Sequence, residues 1–388
     1  MDVLISGAGI AGLTLALCLG RRGHRPLVVE RTPALRGGGY MIDFYGPGFD
    51  SAETLGLLPE FEAIHYPIRR LAFLNRRGRE KFSLAYRTLR HTMFDDRHFN
   101  FLRGDLERLL YSHAGPLADL RFGTSVTSLS QDAAGVDVEL SDGSRHRVDA
   151  CIGADGVHSQ VRTLIFGPES RFSRFLGYYT AAAMLDGAAI DLDRDAFHTL
   201  SVPGRQVAVY PVRDGRIATF FAHRARRKLT DHSPETARAA LRAVYGKMDW
   251  IVPTLVERSV ESPDLYFDAV TQIEMPSWGR GRVGLVGDAC GCVSLLAGQG
   301  ASMAMTGAVT LAEELTRPGL GVEAAIRAYE SRIRPAVLKR QAAGRDMANW
   351  FVPASRWRLA LRDLFMRTSL WPGVDRLIKQ TLASGAKL

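Results

Sequence analysis

The fold is decided by the N-terminal stretch Val3-Leu4-Ile5-Ser6-Gly7-Ala8-Gly9-Ile10-Ala11-Gly12. It joins a short continuous apolar run, typical of a strand buried on both faces, to a G-x-G-x-x-G turn. Good helix formers follow as far as Arg22, and the residues from Pro26 to Glu30 form a second apolar run. The order strand, glycine turn, helix, strand predicts one βαβ unit of the kind that binds a dinucleotide.

Each glycine of this turn has a separate physical role. Gly7 permits the tight turn, Gly9 lets a pyrophosphate approach the backbone, and Gly12 lets the helix pack closely on the strand. The first turn of the helix, which includes Ala11, offers free N–H groups to the diphosphate. We therefore predict that these four residues bind the cofactor.

Glu30 closes the second strand, where a carboxylate can accept hydrogen bonds from the adenosine ribose. This favours a ribose without a 2′-phosphate, hence FAD or NAD over NADP at this site. The next residue, Arg31, either adds a cofactor contact or is an ordinary surface arginine.

Two further glycine-rich motifs distinguish FAD from NAD. The first is Gly153-Ala154-Asp155-Gly156, and the second is Gly287-Asp288-Ala289, followed by Gly298-Gln299-Gly300. Each aspartate comes just after a buried strand, where it can hold sugar-type hydroxyls by charge-assisted hydrogen bonds. The ribityl chain of FAD carries such hydroxyls. For each motif alone, an ordinary turn or helix-cap aspartate is an equally good interpretation.

The spacing of the motifs predicts an α/β fold with a GxGxxG-type FAD-binding βαβ domain built from discontinuous segments. We expect this domain to comprise residues 1–170 and 274–345. A β-rich substrate domain is predicted as an insertion at 171–273, and a C-terminal helical region at 346–388, with breaks at Pro353 and Pro372.

Composition excludes several classes of protein. The chain has 388 residues, 46% hydrophobic content and a net charge of +9, with no apolar run near the ~20 residues of a membrane span. Four cysteines without zinc-finger spacing predict reduced structural thiols and no metal site. The scattered arginines predict a basic surface or a surface for anionic ligands rather than nucleic-acid binding. The sequence shows no signal peptide, so we expect the protein in the cytoplasm. We also expect it to be a monomer or a homodimer.

The three motifs, in this order and spacing, resemble those of the class A FAD-dependent monooxygenases, the group of para-hydroxybenzoate hydroxylase. The resemblance covers about residues 1–345. Within the group, the chain looks most like the tetracycline-inactivating flavin monooxygenases. That likeness rests on the stretches 36–43 (RGGGYMID), 102–106 (LRGDL) and 266–273 (YFDAVTQI).

This resemblance implies further roles. It implies FAD contacts by Arg36 and Arg103, and a backbone contact of Val126 with the adenine. It implies that Asp288 holds the ribityl chain and the pyrophosphate. The backbone N–H groups of Gly300, Ala301 and Ser302 would face the flavin pyrimidine edge. Arg224 falls where some relatives place a catalytic arginine against the flavin, although it also reads as a surface cation.

The reaction implied by the resemblance begins with reduction of FAD by NAD(P)H, which binds only transiently. Oxygen then forms a hydroperoxyflavin, and one oxygen atom passes to a hydrophobic aromatic or polycyclic natural product or antibiotic. Met184, Tyr210 and Phe221 are candidate pocket walls, with Phe220 beside them, although such residues are more often plain core. Alternatives are an oxidase or dehydrogenase on the same scaffold, or a non-catalytic FAD-binding protein.

Two features stay open. The loop at 290–297 (CGCVSLLA) lacks the prolines that relatives carry there, so its shape over the flavin is not fixed by proline. The basic, amphipathic stretch around Trp350-Phe351 and Trp357 to Phe365 could lie on a membrane surface. We expect instead that it packs across the two lobes, without stable membrane association, because such a helix must bury its apolar face.

Overall fold

The computed structural model describes residues 1–35, 39–66, 68–187 and 190–368. Within these residues the strands are, in chain order, β1 Val3–Ser6, β2 Leu27–Glu30, β3 Met41–Tyr45, β4 Arg70–Leu74, β5 Glu80–Ala85, β6 His98–Leu102, β7 Asp119–Phe122, β8 Val126–Gln131, β9 Val136–Leu140, β10 Arg145–Val148, β11 Ala150–Gly153, β12 Ser173–Asp186, β13 Ala196–Val202, β14 Arg205–Pro211, β15 Arg216–Arg224, β16 Tyr266–Ile273, β17 Gly279–Arg280 and β18 Val283–Leu285.

The α-helices of the same residues are α1 Ile10–Gly20, α2 Pro47–Thr54, α3 Leu58–Ile64, α4 Tyr86–Phe94, α5 Arg103–Ala114, α6 Gln160–Phe166, α7 Pro234–Tyr245, α8 Val252–Glu261, α9 Asp288–Gly291, α10 Gly300–Leu315, α11 Val322–Phe351 and α12 Arg356–Thr368. None of these described helices combines the length and the apolarity that a membrane span needs.

The three glycine motifs meet at one edge of a six-stranded sheet, whose order is β17-β18-β11-β1-β2-β7. All neighbouring strands are parallel except the edge pair β17–β18. Ser6 pairs with Gly153, and Gly153 pairs with Leu285, so the carboxyl ends of β1, β11 and β18 are aligned side by side. The predicted nucleotide-binding sheet, assembled from distant segments, is confirmed. Its central strands are buried along their whole length, which explains their continuous apolar runs.

The second large sheet has seven strands in the order β16-β12-β15-β14-β13-β4-β5. Two of them, β4 and β5, come from residues 70–85, ahead of the segment predicted to be β-rich. Within that segment lie two helices that the sequence interpretation missed, α7 and α8. They cover one face of the sheet, where Leu241 and Val256 pack with Phe221. A sheet needs such a cover on its apolar face, and the other face is left for the cleft. The domain boundaries stay a proposal.

The C-terminal helices differ in their packing. Helix α11 runs without interruption through residues 345 and 346, where a boundary was predicted, and it packs against α10. It ends at Phe351, before the predicted break at Pro353. Helix α12 contacts β5 and β13 of the second sheet. The predicted break at Pro372 lies outside the described residues.

Candidate cofactor and substrate cleft

A cleft of about 680 Å³ runs from the edge of the six-stranded sheet to the open face of the seven-stranded sheet. This volume lies within the range of about 300–1,000 Å³ that small-molecule and cofactor sites have. Most of the residues predicted to bind a cofactor line it, together with two predicted pocket residues. They are Gly7, Gly9, Ala11, Glu30, Arg31, Arg103, Asp155, Asp288, Gly300, Ala301, Tyr210 and Phe220.

Three of the predicted cofactor residues that the structure describes do not line the cleft. Gly12 lies beneath the glycine turn, and Val126 is 1% exposed, just after two lining residues, Thr124 and Ser125. Ser302 is also 1% exposed, and its hydroxyl oxygen accepts a hydrogen bond from the Tyr45 N–H at 3.2 Å. Its own contact with a cofactor stays a prediction. Arg36 lies outside the described residues.

The glycine turn is shaped by the protein at two positions and left open at a third. A Cβ on Gly7, whose φ is +111°, would lie 2.5 Å from the carbonyl oxygen of Ala154, and one on Gly12 would lie 1.9 Å from that of Gly7. A Cβ on Gly9 would meet only side-chain tips, Glu107 at 3.8 Å and Arg103 at 3.9 Å. The space at Gly9 therefore belongs to the cleft, as a cradle for a phosphate group requires.

Glu30 is held by its own turn. One carboxylate oxygen accepts the Ala8 N–H at 2.9 Å, and the other accepts the N–H and the hydroxyl of Thr32, both at 3.0 Å. A carboxylate has lone pairs beyond these three bonds, so it can still accept from ribose hydroxyls. That ribose contact stays a prediction.

Asp155 caps a helix, one of the two interpretations that the sequence left open. Its carboxylate accepts the Ser159 hydroxyl and the N–H groups of Gln160 at 2.8 Å and Val161 at 3.1 Å, at the start of α6. Burial raises the pKa of Asp155. The residue also lines the cleft, and a carboxylate has lone pairs beyond these three bonds, so its contact with a cofactor stays a prediction.

Asp288 and Arg103 place opposite charges at the centre of the cleft. Asp288 begins α9, directly after Gly287 with its φ of +68°. Burial raises the pKa of Asp288, and the Arg103 guanidinium opposes this shift. Arg103 pairs with Glu107 at 3.0 Å and stays 34% exposed. A Cβ on Gly300 would lie 4.0 Å from the Asp288 carboxylate, so the start of α10 adjoins it.

The groups present fit FAD. Two helix N-termini, those of α1 and α10, lie on the cleft with Arg103, which suits a diphosphate and an electron-rich ring. Asp288 lies between them and suits the hydroxyls of the ribityl chain. The open space at Gly9 completes the path along which the cofactor would run.

The loop that lacks prolines is fixed by two buried glutamines that the sequence interpretation missed. The Gln341 amide donates to the carbonyls of Ile273 at 2.8 Å and Cys292 at 3.0 Å. The Gln272 amide donates to the carbonyls of Val293 at 2.8 Å and Gln341 at 2.7 Å. The loop backbone is therefore held by side chains of β16 and α11. No local sequence signal marks this, because the partners are distant along the chain.

Strain is concentrated at Ser294 in this loop. Its φ is +118°, which a residue with a side chain rarely adopts, and it is 2% exposed on the cleft wall. Within the described residues its hydroxyl has no hydrogen-bond partner. Such a conformation persists only where the surroundings impose it, and here the glutamine contacts do so.

Three predicted site residues are placed elsewhere. Arg224 donates to the Val352 carbonyl at 2.9 Å and to Asn349 at 2.6 Å, and it does not line the cleft. Phe221 is fully buried under α7 and α8, because successive strand residues face opposite sides of the sheet. Met184 packs behind Tyr210 rather than on the surface of the cleft. The structure therefore corrects these three assignments.

Aromatic residues form the walls of the outer cleft, and of these only Tyr210 and Phe220 are predicted from the sequence as pocket walls. Phe197 stacks on Tyr210 with ring centres 4.6 Å apart, and Phe220 meets the edge of Phe351 at 6.2 Å. The lining aromatic residues of this half are Tyr40, Phe73, Tyr86, Phe94, Phe197, Tyr210, Phe220, Tyr266, Trp350 and Phe351.

A polar pair interrupts these aromatic walls. The buried ring of His98 lies 3.0 Å from the carboxylate of Asp43, and both residues line the cleft. The second ring nitrogen of His98 has no hydrogen-bond partner among the described residues. The pair therefore offers a polar contact to a ligand in an otherwise apolar compartment.

Known proteins resemble this chain over most of its length. Residues 1–342 match the family model described as FAD binding domain. An uncharacterized protein of Mycobacterium tuberculosis is 37% identical over 321 residues, which cover 82% of this chain and 85% of that protein. A flavin-dependent monooxygenase of Legionella longbeachae is 31% identical over a match that covers 89% of this chain and 88% of that protein. The crystal structure of the tetracycline destructase Tet(51) superposes with a TM-score of 0.85 at 26% identity, covering 99% and 97%.

The glycine turn generates a prediction that separates folding from cofactor binding. Gly12→Ala should destabilise the protein by about 3 kcal/mol or more, because the new methyl overlaps a backbone oxygen. Gly9→Ala should leave the unfolding free energy of the cofactor-free protein nearly unchanged and weaken FAD binding by about tenfold or more. Denaturant unfolding and FAD fluorescence titration measure the two effects. Equal loss of stability in both variants would contradict this interpretation.

The glutamine contacts generate a second prediction. Gln341→Leu should lower the unfolding free energy by about 1–3 kcal/mol, because the Ile273 carbonyl loses its side-chain donor and the Cys292 carbonyl keeps only the Ile273 N–H at 3.3 Å. The exposed Gln160→Leu is the matched control and should change it by less than about 0.5 kcal/mol. Hydrogen exchange should also show faster exchange in residues 290–297 of the Gln341 variant alone. Unchanged exchange in that loop would refute the role of Gln341.

A pH dependence follows from His158, whose ring lies 3.4 Å from Asp268 and 2.9 Å from Glu169. Hydrogen bonds to these carboxylates raise the pKa of His158 from 6.5 to about 9. The stabilisation of the folded protein by these ion pairs is therefore complete below the pKa that His158 has in the unfolded chain. It is lost as the pH rises through the pKa that His158 has in the folded protein. His158→Gln should cost less than about 1 kcal/mol near pH 6, because the ring is partly exposed, and nothing near pH 10.

Unfolding measured at both pH values tests this, with the exposed His232→Gln as control. A penalty for His158→Gln that grows with pH would have the wrong sign and would rule out the assigned ion pairs.

Proposed function

The chain belongs to the FAD binding domain family and is an FAD-dependent monooxygenase, and from this premise we propose its reaction and its class of substrate. It uses NAD(P)H as a transient reductant and inserts one atom of molecular oxygen into a hydrophobic aromatic or polycyclic small molecule. Natural products and antibiotics are the substrates of this type that the cleft suits best.

One observation carries the proposal: the aromatic compartment is continuous with the cofactor half of the same cleft. Tyr210 and Phe220 belong to the seven-stranded sheet, whereas Asp288 and Gly300 begin α9 and α10 in the half of the six-stranded sheet, yet all four line one space. A compound held between aromatic walls would thus lie next to the cofactor ring without an intervening barrier. Proximity of this kind replaces a bimolecular encounter by a unimolecular step.

The residues of the chain bind, orient and exclude water. Bound FAD, once reduced, supplies the activation of oxygen that no side chain provides. The start of α10 presents backbone N–H groups and the positive end of a helix dipole, which stabilise negative charge on a ring placed there. The aromatic walls keep the compartment dry, which strengthens these electrostatic effects.

The substrate class gains support from the relatives. Tet(51) is named a tetracycline destructase, and its fold covers nearly the whole of this chain. Tetracyclines are polycyclic, and the outer cleft here is walled by aromatic rings that suit flat, fused ring systems. The pair Asp43–His98 would add a polar contact for a substrate hydroxyl or carbonyl.

The nicotinamide cofactor would bind without a site of its own. The sequence contains one G-x-G-x-x-G turn that opens a helix after a strand, and this turn belongs to the FAD half. NAD(P)H would therefore enter the same cleft, reduce the flavin and leave. Its choice between NADH and NADPH is part of the test below.

The test combines cofactor consumption with oxygen labelling. The purified FAD-loaded protein is mixed with NADH or NADPH and with phenolic and polyketide compounds under ¹⁸O₂, and the products are analysed by mass spectrometry. The proposal expects stimulated NAD(P)H oxidation and one ¹⁸O atom in the product. Oxidised product without label would indicate a dehydrogenase or oxidase. Absence of stimulation by every compound would indicate a non-catalytic FAD protein.

Neighbouring phenylalanines on opposite faces of β15 give a matched pair of variants. Phe220→Leu should raise the KM for an accepted aromatic substrate roughly fivefold to tenfold, because it removes a ring from the cleft wall. Phe221→Leu should leave KM unchanged and lower the unfolding free energy by about 1 kcal/mol. Steady-state kinetics and denaturant unfolding measure both. The opposite pattern would place the substrate elsewhere.

A further inference from the structure

Helix α12 presents its apolar face to solvent and its charged face to the protein. Trp357, Leu361, Leu364 and Phe365 are 66%, 48%, 57% and 42% exposed, and we call these four residues the apolar stripe. Their spacing of four, three and one residues places them on one side of the helix. A surface helix normally buries that side. The expected packing of the C-terminal stretch holds at Phe351, whose ring contacts Phe220, and is wrong for the apolar stripe.

The buried side of α12 explains this orientation. Arg362 and Asp363 are 5% and 6% exposed and pair with each other at 2.9 Å. Arg362 also donates to Gln206 at 3.2 Å, and Asp363 pairs with Lys81. The helix is therefore held on the second sheet by its polar groups. Apart from Phe365, whose ring contacts Trp350, the apolar stripe is left facing solvent among the described residues.

Arginines lie on both sides of the apolar stripe. At 100° per residue, Arg358 lies on one flank, and Arg356 and Arg367 lie on the other. All three are exposed. The single acidic residue of α12 is the buried, paired Asp363. The exposed surface of the helix thus combines an apolar centre with cationic edges, on a chain of net charge +9.

We propose that the apolar stripe docks on an anionic lipid surface, with α12 lying in the plane of the interface. Apolar side chains enter the acyl boundary while flanking arginines meet anionic headgroups, which is the arrangement of interfacial amphipathic helices. A second copy of the chain fits the stripe less well. Two stripes in contact would bring six arginines together without acidic partners, and like charges across an interface repel.

The docked helix would bring the cleft to the membrane. Trp350 lines the cleft, and its ring meets Phe365 of the apolar stripe at 5.1 Å. Arg362 and Met366 of α12 line the cleft as well. An apolar substrate dissolved in lipid would then reach the cleft without crossing water. This last consequence rests on the proposed function, whereas the docking itself does not.

The experiment is flotation of the full-length, FAD-loaded protein with lipid vesicles, without substrate or NAD(P)H. We expect binding to phosphatidylglycerol–phosphatidylcholine vesicles, weaker binding to phosphatidylcholine alone, and loss of binding as salt is raised. The double variant Leu361→Glu, Leu364→Glu should bind at least about tenfold more weakly. Leu164→Glu, on the partly exposed Leu164 of α6, is the matched control and should bind like the unchanged protein.

Several results would overturn the proposal. They are failure of the unchanged protein to bind either vesicle, equal binding of the double variant, and equal loss in the Leu164 control. Light scattering detects the competing occupant, since a dimer that the double variant converts to monomer would assign the stripe to a second copy. Retained FAD absorbance and an unchanged unfolding midpoint show that the variants are folded. None of these readouts depends on the monooxygenase reaction.

Discussion

The close approach of two backbone segments, at Gly7 and Ala154, is the constraint on which the site depends. A side chain at Gly7 would overlap the Ala154 carbonyl, so the first two motifs touch without side chains between them. The third motif is tied to the second by Arg162, which is fully buried and donates to the carbonyls of Val157 at 2.6 Å and Ala289 at 3.0 Å. Three strand ends that are distant in the chain therefore form one rigid edge, and only such an edge can present a continuous surface to a long cofactor.

The cleft also needs the second sheet to keep a fixed position relative to the first. The antiparallel strand pair β3 and β6 lies between them. The Met41 N–H, at the start of β3, donates to the Tyr210 hydroxyl at 2.6 Å. Burial raises the pKa of Tyr210, so the phenol stays protonated. Since Tyr210 belongs to the aromatic walls, this one bond positions the outer compartment relative to the cofactor half.

The loop of residues 290–297 shows how tertiary contacts replace a local constraint. Proline would fix the backbone through its ring, whereas here Gln272 and Gln341 hold the carbonyls of Val293 and Cys292 from outside the loop. Leu296 packs in one cluster with Phe220 and Ala348, so the same loop joins the sheet and α11. The unusual sequence thus leads to a loop whose shape depends on elements that the relatives need not share.

The sequence alone determined the parallel sheet, the three motifs and the cofactor class, because strand, turn and helix signals are local and glycine spacing reports backbone geometry directly. Only the tertiary structure decided which side chains face the cleft. Phe220 and Phe221 are the same residue type and point to opposite faces of β15. The packing of α7 and α8 on one face buries Phe221 and leaves Phe220 on the cleft. Arg224 became a partner of Val352 because its acceptor lies 128 residues away along the chain, whereas the hydrogen bonds of Asp155 to the start of α6 are local. The same holds for α12, whose amphipathic pattern is evident in the sequence. The ion pairs that turn its apolar side outward exist only once the second sheet is formed.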